Sequence, residues 1–112
     1  MKLAIDYVEF AGPDIAASRA FFETAFGWAF TDYGPSYVAF DKAGIAGGFA
    51  AAEERAAPLV ILYADDLDAA EASVREAGGE VVVAQFDFPG GRRFHFREPG
   101  GSVLAVWSKR EE

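Results

Sequence analysis

The chain contains no cysteine, which excludes disulfides, thiolate metal sites and cysteine nucleophiles together. Histidine occurs once, at His95, so a multi-histidine metal site cannot be assembled anywhere. Bases are scarce beside acids, 10 against 18, and the formal net charge of −8 repels phosphate backbones. Nucleic acid is therefore not an expected partner. No apolar run approaches the length of a membrane span, and the opening MKLAIDYVEF lacks the long apolar core of a signal peptide. No membrane partner is expected, and a cytoplasmic location follows by default. No Gly-x-Gly-x-x-Gly pattern follows a strand, and the Pro89-Gly90-Gly91 turn lacks the lysine of a phosphate loop.

What remains is apolar and aromatic. The 112 residues suffice for one core. Hydrophobic residues make up 52% of them and aromatics 15%, 11 of these being Phe, a supply suited to a packed core or an apolar pocket. The excess acidity reads as a solubility device, or as attraction for a cationic ligand if the acids line a cleft.

The order of elements repeats. A strand over Ala4–Phe10 is followed by a helix from Asp14 to Phe26, closed by Gly27, and by strands at Trp28–Tyr33, Ser36–Phe40 and Gly44–Ala50. A strand at Leu59–Tyr63 then precedes a helix opened by Asp65, Asp66 and Asp68 and running to Ala77, with Gly78-Gly79 at its end. Strands follow at Glu80–Phe86, Arg92–Arg97 and Ser102–Trp107. An offset of 52 places Asp14 on Asp66, Ala17 on Ala69 and Gly27 on Gly79. The pattern predicts a single α+β domain of two βαβββ modules, about 1–50 and 58–108, joined by a connector at 51–57. Each module alone would leave one sheet face bare, and two can curl those faces around a cavity.

Three features together resemble a known family. VEFAGPDIAASRAFFETAFGW is similar to the opening strand and helix of the vicinal-oxygen-chelate superfamily, the glyoxalase, bleomycin-resistance and extradiol-dioxygenase fold. FPGGRRFHFREPGGSVLAVWS resembles its closing hairpin, with Glu98-Pro99-Gly100-Gly101 where the family usually carries Asp-Pro-x-Gly. The internal repeat is the third feature. The resemblance implies curved mixed sheets around a cavity and a homodimer. It also implies a divalent metal held by His and Glu on the first and last strand of each module. Those positions fall on Tyr7 and Phe49 in module one and on Leu59 and Ala105 in module two, none of them a fitting ligand. A shifted register would bring in Glu9 or Glu98, still short of a full set. No metal and no other cofactor are therefore expected.

Strand alternation sends side chains i and i+2 to one face. Tyr7 and Glu9 then share the cavity side, as do Tyr63 in the second module's first strand and Trp107 in its last. In RRFHFRE, Phe94 and Phe96 are core candidates, which turns Arg93, His95 and Arg97 to the other face. Tyr7, Phe49, Tyr63 and Trp107 read either as stacking walls for a flat ligand or as core filling. Arg93 suits an anionic group on that ligand. His95, whose type titrates near neutrality, reads either as a structural residue or as a general base with Glu9. The expected function is metal-free binding of a small molecule, an antibiotic or metabolite, in the inter-module cavity. The alternative is a cofactor-independent lyase or isomerase using His95.

Overall fold

The computed structural model describes residues 3–109. Strand β1 (Leu3–Gly12) leads into helix α1 (Ile15–Phe26) and then into β2 (Ala29–Asp32), β3 (Tyr37–Asp41) and β4 (Ala46–Ala51). The second round is β5 (Ala56–Ala64), α2 (Leu67–Glu76), β6 (Glu80–Phe88), β7 (Gly91–Arg97) and β8 (Val103–Lys109). This is the expected α+β pair of βαβββ modules. Strand β5 begins three residues before the expected Leu59 and absorbs part of the connector.

The chain divides into two compact units whose boundaries differ from the repeat. One is Tyr7–Leu59; among the described residues the other joins 3–6 to 60–109. In the first unit the strand order is β2-β3-β4-β1, with β1 parallel to β4 and the other pairs antiparallel. In the second the order is β5-β8-β7-β6, with β5 parallel to β8 and the others antiparallel. Each sheet is therefore mixed, and each carries one helix.

Both helices start in the same way, because their caps obey the 52-residue offset. Asp14 accepts the Ala17 amide at 3.0 Å, and Asp66 accepts the Ala69 amide at 3.0 Å. They end differently. Gly27 takes a left-handed conformation (φ 70°) and donates back to Glu23 and Phe22 carbonyls, as a helix-ending glycine does. In the second module the left-handed residue is Gly78, one position before the aligned Gly79.

The core of the first unit is aromatic: Ile15, Val38, Phe40 and Phe49 are buried, and Phe10, Phe22, Trp28 and Phe30 pack against them. In the second unit Ala64, Leu67, Ala70, Phe94 and Val106 are buried between sheet and α2, with Val81 and Phe96 half-buried beside them. Phe94 and Phe96 thus face the helix as the alternation requires, and Phe94 is fully enclosed at 0% exposure. Phe94→Ala should lower unfolding free energy by about 3–5 kcal/mol in urea titrations. Phe21→Ala, at a side chain 58% exposed on α1, should change it by no more than about 0.5 kcal/mol.

Candidate functional site

On the first unit's sheet, the helix-facing set Phe10, Phe49 and Phe40 fixes the phase of three strands. Tyr7 and Glu9, in alternation with Phe10, lie on the opposite face, and so do Tyr37 and Ala39, in alternation with Val38 and Phe40. Phe49 does not join Tyr7 there. It is 5% exposed and stacks on Phe10 at 4.9 Å between ring centroids, which corrects its expected place on the cavity side. The β1–β4 register gives the reason. Ala105 of β8 pairs with Ile61, two residues beyond Leu59; the matching residue two beyond Tyr7 is Glu9, and it pairs with Gly48. The last-strand position of module one is therefore Gly48, and a slip of one residue had moved it to the wrong face.

Gly48 is occupied by a neighbour's ring. A Cβ built there would collide with the Tyr37 hydroxyl, so the glycine is what lets Tyr37 lie across β4. Tyr37 reaches the Tyr7 hydroxyl in a short hydrogen bond and donates to Glu9 Oε2 at 3.3 Å. Burial first, then the Tyr7 hydroxyl and the Glu9 carboxylate, push the Tyr37 phenol far above its ordinary value. Tyr37 was absent from the expected site. Its signal was the alternation of Val38 and Phe40, which leaves it on the same face as Tyr7.

The second unit's open face is built differently. Trp107 donates its indole N–H to both carboxylate oxygens of Asp6, at 3.1 and 3.3 Å. Tyr63 meets the Trp107 ring edge-on at 4.8 Å, and Phe88 lies 6.1 Å from it. Arg93, paired with Trp107 across β7 and β8, spreads its guanidinium over Phe86 at 5.3 Å and Phe88 at 5.7 Å. His95 pairs with Ala105 on the same face and contacts Phe86 at 5.8 Å. Tyr63, Arg93, His95 and Trp107 thus form one half-buried array, as their strand positions predicted. Glu9 accepts a hydrogen bond from the Tyr37 hydroxyl at 3.3 Å. Arg97 is exposed and pairs with Glu80 at 3.0 Å.

The four family metal positions therefore hold a hydrogen-bonded phenol (Tyr7), no side chain (Gly48), an isobutyl group (Leu59) and a methyl (Ala105). A divalent ion needs carboxylate or imidazole donors there, and this set does not fit one. Among the described residues, no group of three or more His, Asp or Glu side chains is placed to hold a metal. Glu98 is committed elsewhere: its carboxylate accepts the Gly100 and Ser102 amides, which hold the turn and lower its pKa.

Residues 4–106 match the model of the Glyoxalase/Bleomycin resistance protein/Dioxygenase superfamily, and the chain belongs to that family. It is 31% identical to the anthracycline biosynthesis protein DnrV of Streptomyces peucetius, over 92% of this chain and 46% of that protein. The chain spans about half the length of the curated relatives it matches. Among solved structures it is similar to the Mn(II)-bound glyoxalase of Novosphingobium aromaticivorans. The TM-score there is 0.73 with 26% identity, covering 97% of this chain and 41% of that one. Methylmalonyl-CoA epimerase of Mycobacterium tuberculosis shares the fold at TM-score 0.74 and 14% identity, covering 96% and 89%.

The Tyr37 environment predicts an alkaline signature. Because the folded phenol titrates above its unfolded value, the stability it contributes is present below about pH 10 and is lost as pH rises beyond it. In ultraviolet titration at 295 nm, Tyr37 should stay un-ionised through the alkaline range in which an ordinary phenol ionises, near pH 10. Gly48→Ala should expel the Tyr37 ring and restore a phenol that ionises near pH 10. An unchanged titration curve in that variant would refute the assigned packing.

Proposed function

We propose that this chain is a metal-independent small-molecule-binding protein, acting in the cytoplasm as a homodimer, whose ligand is flat and aromatic. The observation that carries this reading is the Arg93 guanidinium spread over Phe86 and Phe88, on the same face as the Trp107 ring that Asp6 holds in place. The guanidinium brings positive charge to that face, and the rings beside it offer stacking area. The likeness to anthracycline biosynthesis proteins supports an aromatic ligand of the kind such pathways handle. The family's metal positions, filled by groups that do not ligate, support binding without a metal. Exposed Phe21 and Phe26 on α1 supply apolar surface that a partner copy would cover. Among the described residues no helix is long and apolar enough to cross a membrane.

Native mass spectrometry of the protein purified from its own host tests the reading. The expected result is one small organic molecule retained per chain, with occupancy falling at least about tenfold in Arg93→Ala, the loss of a charge-assisted contact. A bare chain, or a chain carrying one metal ion, would count against it.

A further inference from the structure

Resting on the binding reading above, we propose that Asp6 is a positioning residue that acts through Trp107 and makes the site prefer electron-poor planar rings. Asp6, Tyr63, Phe88 and Trp107 all belong to the second unit. The Asp6 carboxylate takes the indole N–H with both oxygens, at 3.1 and 3.3 Å. This bond fixes the rotation of the ring about its own side chain. A carboxylate acceptor also makes the bond charge-assisted, and it polarises the donor. Electron density pushed off the N–H bond spreads into the conjugated ring, so the indole faces become more negative than those of an indole bonded to a neutral acceptor.

The neighbouring rings suit a guest lying flat on that indole. Tyr63 stands at 74° to the Trp107 plane with centroids 4.8 Å apart, and Phe88 at 64° and 6.1 Å. Both are steep, and among the described residues no other ring contacts Trp107. Trp107 itself is half-buried. A planar guest parallel to the indole would meet Tyr63 and Phe88 at the same steep angles, the edge-to-face arrangement that aromatic pairs favour. Against the indole itself, an ordinary ring sets a negative face on a negative face. A ring whose carbonyl groups draw density from its faces reverses that sign, and the gain grows with the negative character of the indole. An electron-rich guest of the same outline buries the same area without that gain.

Equilibrium dialysis with anthraquinone-2-carboxylate and anthracene-2-carboxylate at neutral pH tests this directly. The two probes share ring outline and charge, so their affinity ratio reports ring electronics. Wild type is expected to prefer the quinone by about fivefold, the value of one well-matched aromatic pair. Asp6→Asn keeps an oxygen acceptor for the indole and removes the charge, so the ratio should fall below about twofold. Trp107→Phe should lower it as far, and adding Asp6→Asn to that variant should change nothing more. A merely structural role would move both affinities together and leave their ratio intact. Equal wild-type affinities, or a preference kept in Asp6→Asn or in Trp107→Phe, would overturn the role of Asp6 and leave the binding reading standing. Failure of wild type to bind either probe would overturn the binding reading itself, and the role of Asp6 with it.

Discussion

The stack of Phe10 on Phe49, deepened by Phe40 and Phe22, is the constraint from which the first unit's chemistry follows. Strands have a period of two, so committing these rings to the helix side commits Tyr7, Glu9 and Tyr37 to the other. The two glycines of β4 make the arrangement possible. A Cβ on Gly47 would collide with the Phe40 ring on one face, and a Cβ on Gly48 with the Tyr37 ring on the other. One strand therefore gives way on both sides, to an apolar ring beneath and a phenol above.

The two units fill comparable positions with different physics. In the first, the Glu9 carboxylate accepts from the Tyr37 phenol, which also meets the Tyr7 hydroxyl. In the second, Ala105 stands at the last-strand position, and the polar side chains of β7, Arg93 and His95, lie against aromatic rings. Asp6 anchors Trp107 by its indole proton, so the largest ring on that face is fixed by a contact 101 residues apart in sequence.

Much of this was legible before any coordinates. The 52-residue offset located both helices because capping is local: Asp14 and Asp66 act on amides three residues ahead. The face of β7 was legible because Arg-Phe-His-Phe-Arg alternates without interruption. The face of β4 was not. Ala46-Gly47-Gly48-Phe49-Ala50 has one large side chain, so alternation has no phase there, and only pairing with β1 sets it. Tyr37 escaped for a related reason: its role depends on the absent side chain of Gly48 and on partners 30 and 28 residues away. Division of β1 between the two units likewise comes from tertiary contacts, and nothing in the strand's own residues marks it.

The central proposal is that Tyr7, Gly48, Leu59 and Ala105, standing at the positions where the family resemblance implies ligands, hold no divalent metal. Elemental analysis of the protein after equilibration with zinc, nickel and manganese, followed by exhaustive dialysis, tests that claim most directly. The account predicts only trace, substoichiometric metal for all three ions. One tightly held divalent ion per chain would contradict it.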